Sequence, residues 1–331
     1  MAALVLSCCF PFAVAVIDVF RAARASNFTP RHECGVVALG GKVFLLGGFD
    51  VKPVEEYDPV TDTWRQLSAP PMELHHFQAV AARGKIFVAG ALTGEFPREP
   101  AVPSLYVFDP VSDRWTLGPS VPFARRRGSA GVVVFRDRWL FLVCGTTNGH
   151  WNGFVGWLDR LDLRTGEWTT LADAPHARDH LQAAIIDQRI VTAGGRTSHA
   201  ERDLVFELTV PHVDVFDIES GEWQTLAELI PTERAGASVA AVGSFLFVVG
   251  GESKQHEAAH SDIEVLSVSN VSANGAWRRM RPLAVGRHGT GLALVGETLF
   301  MPGGCSKRGK FPWSKSMEML HVWIDDQTSD E

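Results

Sequence analysis

Arginine recurs at one fixed distance from a paired-glycine position along the chain. Arg31, Arg178, Arg234 and Arg287 each stand 17 residues before the second glycine of a Gly-Gly pair. Polar residues flank these arginines or take the corresponding places in other parts of the chain: His32, Glu33, His75, His76, Arg126, Arg127, Asp179, His180 and His288. A guanidinium group matches the geometry of a carboxylate, so together with imidazoles the set suits an anionic or polyhydroxyl ligand. For any single arginine, the alternative is an ion pair within the protein scaffold.

An aromatic segment supplies a second candidate for binding. Residues 148–157 combine two tryptophans and a phenylalanine with asparagine and glycine. Such a composition can stack on a sugar ring or a peptide. Trp151 is the candidate contact residue, whereas Trp157 is expected to pack inside the fold.

The sequence contains no pattern that requires a metal or a cofactor. His256 and His260 match the H-E-x-x-H spacing of zinc proteases. That chemistry needs both histidines on one face of a helix, whereas this segment lies between a Gly-Gly pair and an expected strand. Cys34, Cys144 and Cys305 take similar places in the chain and form no Cys-x-x-Cys pair, which is typical of small buried residues. We therefore expect no metal site and no cofactor.

These candidates are distributed over a repeat of about fifty residues. The first unit, residues 36–64, contains two apolar runs separated by Gly-Gly, a second Gly-Gly pair, and an aspartate followed six residues later by tryptophan. Short apolar runs punctuated by Gly and Asp-Pro predict antiparallel strands rather than helices. The tryptophan recurs at intervals of 51, 53, 55 and 54 residues, as Trp64, Trp115, Trp168, Trp223 and Trp277.

This period and its landmarks resemble the kelch repeat, in which each unit forms one blade of a β-propeller. The resemblance implies an all-β fold for residues 26–331: a six-bladed kelch β-propeller with four-stranded antiparallel blades. The first strand of each unit is rich in glycine and alanine, as expected for strands that crowd around a central channel. The arginines and histidines would then ring the channel mouth. The loops between second and third strands, which differ most in length, lie on the same face.

Residues 1–25 have two interpretations. An apolar run over residues 2–17, followed by Arg21 and Arg24, resembles the hydrophobic part of a secretory leader, although no basic residue precedes it. Alternatively, residues 14–22 form the outer strand of the last blade, with Phe20 at its missing tryptophan position, which would close the ring. A leader implies a secreted protein, whereas a closing strand is compatible with the cytoplasm.

Bulk composition narrows the class of protein. The chain of 331 residues has a formal net charge of −7, with 46% hydrophobic and 21% charged residues. Nucleic-acid binding is not expected, because it needs a basic surface. No apolar stretch long enough to span a membrane follows residue 20, so we expect no transmembrane span in the mature domain. We also expect the protein to be a monomer.

Among kelch proteins, the repeats look most like the propeller of galactose oxidase and of related secreted proteins. The copper-radical site of that enzyme uses two tyrosines, and Tyr57 and Tyr106, the only two here, stand at equivalent scaffold positions. Copper-radical oxidase activity is therefore not expected. Together with the arginines, histidines and Trp151, this predicts a non-catalytic module that binds a glycan, a small polar ligand, or a protein or acidic peptide at the channel mouth.

Two other functions stay open at the level of sequence. The first is a sugar-modifying enzyme of the mutarotase or epimerase type, which a Glu, a His and an Arg converging in a concave pocket would favour. The second is a protein-interaction scaffold that uses its loops alone.

Overall fold

The computed structural model describes residues 27–268, 276–309 and 311–322. These residues form 25 β-strands and two short 3₁₀ helices, Phe123–Arg125 and Ala200–Arg202. None of the helices in this part of the chain could cross a membrane. The strands make six consecutive antiparallel blades, which confirms the predicted six-bladed propeller.

The strands of the first three blades run from the channel outwards. Blade 1 contains β1 (Cys34–Leu39), β2 (Lys42–Gly47), β3 (Val54–Asp58) and β4 (Thr63–Leu67). Blade 2 contains β5 (Ala79–Ala82), β6 (Lys85–Val88), β7 (Ser104–Asp109) and β8 (Arg114–Ser120). Blade 3 contains β9 (Gly131–Phe135) and β10 (Trp139–Val143), an added hairpin of β11 (Thr146–Asn148) and β12 (Asn152–Phe154), then β13 (Leu158–Asp162) and β14 (Trp168–Thr170).

The remaining blades repeat this order. Blade 4 contains β15 (Ala183–Ile186), β16 (Arg189–Ala193), β17 (Val213–Asp217) and β18 (Trp223–Thr225). Blade 5 contains β19 (Ser238–Val242), β20 (Phe245–Val249), β21 (Ile263–Ser267) and β22 (Trp277–Arg279). Blade 6 contains β23 (Ala293–Val295), β24 (Thr298–Pro302) and β25 (Met317–His321). The predicted closing strand, like the predicted leader, lies outside the described residues, so both stay predictions, and so does secretion.

Six apolar cores fill the spaces between neighbouring blades. Phe44 of blade 1, for example, packs in one cluster with Ile86 and Val88 of blade 2. The last cluster joins blade 6 to blade 1 through Phe300 and Val36, so packing closes the ring. Each blade buries both of its faces against its neighbours, which explains why the strands appear in the sequence as continuous apolar runs.

In blades 2, 3 and 4, the repeated tryptophan connects the outer edge of the blade to the blade before it. The indole N–H of Trp115 donates to the carbonyl of Ser68 at 3.0 Å, and that of Trp168 donates to the carbonyl of Ser120 at 2.9 Å. Each bond crosses from one blade to the preceding one, which explains why an indole rather than a phenyl ring recurs there.

The paired glycines permit close contact between blades near the channel. The N–H of Gly251 donates to the carbonyl of Arg287 in the next blade at 2.8 Å. A Cβ atom on Gly250 would lie 2.1 Å from that same carbonyl oxygen, so only glycine fits. The same bond links the second glycine of four other blades to the next blade: Gly48 to Leu74, Gly145 to Arg178, Gly195 to Arg234 and Gly304 to Arg31.

The recurring arginine lies inside its blade, where it joins the innermost segment to the third strand. The fully buried Arg178 forms an ion pair with Asp214 of β17 and donates to the carbonyls of Gly194 and His212 at 3.0 and 2.8 Å. Four other blades contain the same buried pair: Arg31–Glu55, Arg127–Asp159, Arg234–Glu264 and Arg287–Glu318. In blade 2 the buried Leu74 takes the place of the arginine.

Removal of one partner from such a pair should be far more costly than loss of a surface pair. We expect Arg178→Ala to lower the free energy of unfolding by about 3–5 kcal/mol, because Asp214 would stay buried without its cation. In the same blade, Arg189 and Asp217 approach to 3.8 Å at partly exposed positions. Arg189→Ala is the matched control and should cost at most about 1 kcal/mol. Urea unfolding of both variants measures the difference, and equal losses would contradict the scaffold role.

Candidate functional site

One residue from each blade surrounds the channel axis just before the innermost strand. We call these six residues the axial ring: Glu33, His76, Ser129, His180, Gly236 and Gly289. All have left-handed backbone conformations, with φ between 52° and 63°. The N–H of His76 donates to the carbonyl of Glu33 at 2.9 Å, and equivalent bonds continue around the ring to Gly289. The N–H of Cys34 completes the circle by donating to the carbonyl of Gly289 at 3.3 Å. The backbone thus holds the ring side chains at the channel.

Seven of the predicted site residues come together above this channel: His32, Glu33, His75, His76, Asp179, His180 and His288. They lie on the face formed by the loops that follow the second strand of each blade, which we call the loop face. All seven are at most 9% exposed, because those loops fold over them. The predicted convergence of histidines and acids is real, but the group is covered rather than open.

The predicted arginines do not belong to this group. Arg31, Arg127, Arg178, Arg234 and Arg287 have no exposed surface, and their guanidinium groups are committed to the buried ion pairs and carbonyls within the blades. The expectation of an arginine ring at the mouth is therefore corrected: these side chains are scaffold.

Two further predicted residues lie apart from the buried group. Arg126 is half-buried, donates to the carbonyl of Val121 at 3.4 Å and covers the ring of Phe123. Trp151 is half-buried on the loop face, with the guanidinium carbon of Arg98 3.8 Å from its ring centre. Trp151 therefore stays a candidate contact residue, whereas Arg126 sits beside its own blade.

Three buried histidines converge at the centre of the loop face. The ring centres of His76, His150 and His180 are 4.5–5.1 Å apart. His76 and His180 come from the axial ring, and His150 comes from the tip of the β11–β12 hairpin. One ring nitrogen from each lies within 4.8 Å of the other two.

Carboxylates accept hydrogen bonds from Nδ1 of two of these imidazoles. Nδ1 of His150 donates to Oε1 of Glu99 at 2.8 Å, and the backbone N–H of His150 donates to the other Glu99 oxygen. Nδ1 of His180 donates to Oδ1 of the adjacent Asp179. Asp179 also accepts bonds from the N–H and hydroxyl of Ser198, which fix its orientation.

A charged network adjoins the histidines. Arg196 pairs with Glu252 at 2.7 Å, and its Nη2 lies 3.3 Å from Nε2 of His150. His288 lies between Glu252, at 3.4 Å, and Glu33, at 3.6 Å. All of these groups are buried, so the charges interact in a medium of low effective dielectric constant.

The surroundings shift the pKa values of these groups in opposite directions. Burial is the main cause that lowers the pKa of His76 and His180, since it disfavours the charged imidazolium. Burial alone would raise the pKa of Glu252, but His288 and Arg196 lower it to about 2. Burial would lower the pKa of His288, yet the nearby Glu252 and Glu33 raise it well above its ordinary value. The site thus combines neutral imidazoles with ionised carboxylates.

Sequence reasoning missed four members of the site. Arg196 and Glu252 directly follow the second glycine of a Gly-Gly pair, a position that bridges to the segment beside the axial ring. Their repeat position was therefore a usable signal. His150 stands inside the aromatic segment already identified, but only the tryptophans of that segment were considered as contact residues. Glu99 lies in a loop of variable length and carries no repeat signal.

The space below the axial ring is small. A cavity of about 30 Å³ lies among the ring residues, enough for one water molecule. Gln182 lines this cavity and also the wider apolar channel of about 340 Å³ beyond it. Gln78 and Gln182 reach across the innermost strands, donating to the carbonyls of Ala183 and Thr290 at 2.8 and 2.7 Å. This cavity of about 30 Å³ is too small for a sugar.

Other motifs serve the scaffold. His256 and Glu257 are exposed on a non-helical loop, and Nε2 of His260 bonds the hydroxyl of Ser253 at 2.7 Å, so the zinc-protease spacing is coincidental. The tyrosines and cysteines considered in the sequence likewise make their contacts within the protein. The hydroxyls of Tyr57 and Tyr106 donate to Asp62 and to the sulfur of Met72, and Cys34, Cys144 and Cys305 are buried free thiols.

The raised pKa of His288 should make stability depend on pH on the alkaline side. Its imidazolium stabilises the fold fully below the unfolded pKa of about 6.5, and this contribution is lost as pH rises through the folded pKa. We expect His288→Asn to flatten the decline in unfolding free energy as the pH rises above about 6.5.

His212 provides the control for that experiment. Burial lowers its pKa, so its contribution changes below about pH 6.5, and His212→Asn should leave the alkaline decline as in the wild type. Urea unfolding at several pH values measures both slopes. An unchanged alkaline decline in the His288 variant would show that this imidazole is neutral in the folded protein.

Known proteins with similar sequences have kelch repeats. The KLHDC2/KLHL20/DRC7 Kelch-repeats domain matches residues 76–304, and the Kelch motif matches residues 30–71. Kelch-like protein terF of Aspergillus terreus is 30% identical over 296 residues, which cover 83% of this chain and 61% of terF. Kelch-like protein 25 of Homo sapiens is 28% identical over 240 residues, which cover 69% of this chain and 38% of that protein. The chain thus spans less than two thirds of the length of either relative.

The solved structure of YjhT has the same fold. It superposes with a TM-score of 0.72 over 91% of this chain and 97% of YjhT, at 14% sequence identity. The kelch-repeats match covers most of the chain, and the repeat landmarks coincide with the observed blades. The chain therefore belongs to the kelch-repeat family.

Proposed function

We propose that the protein binds an acidic segment of a partner protein through its loop face. The observation that carries this proposal is a pair of aromatic and basic patches beside the buried histidines. In the first patch, Phe96 is 58% exposed and its ring centre lies 5.2 Å from that of His150. Arg98 covers Trp151 in the same patch.

The second patch is formed by the loops of blades 6 and 1. Phe311 is 62% exposed and stacks on Trp313 with ring centres 5.3 Å apart and planes 15° apart. Nζ of Lys52 lies 4.7 Å from the centre of the Trp313 ring. The Trp313 ring also packs against His32, which places this patch next to the buried group.

The chemistry of both patches suits protein recognition. Aromatic residues and arginine are enriched in the parts of interfaces that contribute most of the binding free energy. The exposed Arg98 over Trp151 favours an acidic partner, because charge complementarity raises the association rate and selects partners. On the opposite face, the exposed apolar side chains Val60 and Val111 are aliphatic residues at hairpin turns.

A glycan is the second candidate ligand. The stacked and exposed Phe311–Trp313 pair offers a flat apolar surface on which a sugar ring could lie. The enzymatic alternative gains less support. Glu99, His150 and Arg196 do meet within hydrogen-bonding distance, but all three side chains are buried.

A random-peptide display library selected on the immobilised protein tests the proposal. We expect enrichment of peptides that combine acidic and apolar residues. Trp151→Ala and Phe96→Ala should each weaken a selected peptide at least about 30-fold in Kd, equivalent to about 2 kcal/mol for an interface anchor. Fluorescence anisotropy with a labelled peptide measures the change.

Val111→Ala is the control, because Val111 is 93% exposed on the opposite face. It should leave the Kd unchanged. Equal binding by all three variants would refute a role for the loop face. Binding of an oligosaccharide on a glycan array, lost in Trp313→Ala, with no peptide selected, would favour the glycan instead.

A further inference from the structure

We propose that His76, His150 and His180 form a binding site for a divalent transition-metal ion, with Zn²⁺ as the ion best suited to three imidazole ligands. One nitrogen from each ring lies within 4.8 Å of the others, and all three side chains are buried. No metal site was expected from the sequence, in which these three histidines lie far apart and follow no metal-binding spacing. The inference is independent of the proposed function.

Hydrogen bonds at Nδ1 determine which nitrogen of two imidazoles is available. Nδ1 of His150 donates to Glu99, and Nδ1 of His180 donates to Asp179. In a neutral imidazole the other nitrogen, Nε2, then carries the lone pair. Histidine ligands of metals characteristically donate their second N–H to a carboxylate or carbonyl in this way.

The third imidazole reaches the same state through a neighbouring histidine. Nε2 of His75 donates to the carbonyl of Gly94 at 3.0 Å, so Nδ1 of a neutral His75 is an acceptor. Nδ1 of His76 lies 2.6 Å from that nitrogen and therefore donates to it. His76 is left with its lone pair on Nε2, like the other two. These hydrogen bonds assign the same tautomer to all three imidazoles, and Nε2 of His76 also lies 3.5 Å from Oε2 of Glu33.

One of these lone pairs has no partner among the residues that the structure describes. Nε2 of His180 is buried and makes no hydrogen bond, although the side chain is only 5% exposed. A buried polar atom without a partner is costly unless water or an ion satisfies it. Nε2 of His150 faces Arg196 at 3.3 Å, but Arg196 also bonds Glu252 and Ser198, which would keep it in place if a metal took this lone pair.

The excess of buried negative charge around the histidines also favours a bound cation. Four buried carboxylates adjoin the site: Glu33, Glu99, Asp179 and Glu252. The buried cations next to them are Arg196 and, with its proton, His288. Even with both counted, the carboxylates exceed the cations by two. Unbalanced buried charge is destabilising, and a divalent ion would neutralise it.

The spacing leaves room for a partly open coordination sphere. Zn–N bonds of about 2.0–2.1 Å place nitrogens about 3.3 Å apart in a tetrahedral site, so the rings must turn inwards from separations of up to 4.8 Å. His76 and His180 also line the cavity of about 30 Å³, which can hold one water. Three protein nitrogens and one water form a common zinc arrangement.

Metal analysis of the full chain tests the site. The purified protein is treated with a chelator, dialysed, and incubated with ZnCl₂ or CoCl₂. We expect about one Zn²⁺ per chain by elemental analysis, and visible absorption bands from bound Co²⁺ that Zn²⁺ abolishes. His180→Gln and His76→Gln should each weaken Zn²⁺ binding at least tenfold. Glu99→Gln, which removes the carboxylate that positions His150, should weaken it about 10- to 100-fold.

His256→Gln is the matched control, since His256 is exposed in the other histidine-rich loop and should not affect binding. Phe96→Ala, the loop-face variant, should also keep the metal, which separates this test from that of the proposed function. Circular dichroism checks that each variant is folded. Folded wild-type protein that retains no stoichiometric Zn²⁺ and gives no Co²⁺ bands would overturn the proposal. Undiminished binding by His180→Gln would do the same.

Discussion

Six backbone segments must pass the channel axis within hydrogen-bonding distance of one another, and the rest of the molecule depends on that constraint. The axial ring satisfies it by left-handed residues linked carbonyl to N–H around the circle. Four ring positions hold residues other than glycine, which costs about 1–3 kcal/mol each in this conformation. Glycine at position 289 leaves space for the Glu33 carboxylate, because a Cβ there would lie 2.6 Å from a carboxylate oxygen. Side chains therefore remain on one part of the ring, where His76, His180 and Glu33 enter the site.

The buried arginine pairs solve a second problem, that of fixing the segment that leads into the ring. Arg178 joins that segment to the third strand of its own blade, two residues before His180 in the axial ring. Blade 2 shows that an ion pair is not obligatory, since the buried Leu74 replaces the arginine there. Buried pairs are often no more stabilising than apolar contacts, but they demand one geometry. We attribute to them the positioning of the ring rather than a large share of stability.

The fold was predictable because it repeats, whereas the site was only partly predictable because it does not. The Gly-Gly and tryptophan landmarks recur in blade after blade, so each strengthens the others. The arginines were placed in the right segment but with the wrong partner. Asp214 follows Arg178 by 36 residues and Glu55 follows Arg31 by 24, so unequal loops hide the pairing. The three-histidine cluster joins two blades and a loop tip, a contact that no local spacing records.

The polar cluster also gives the long loops a defined shape. His150, at the tip of its hairpin, bonds Glu99 of the preceding loop, and its carbonyl accepts the N–H of Ala200 from the following loop at 2.9 Å. Three loops are thus tied together at one residue beneath Phe96 and Trp151. Loops that must be ordered on binding lose conformational entropy, which weakens the complex. Because the buried cluster orders these loops beforehand, it would fix the surface that Phe96 and Trp151 present to the proposed partner.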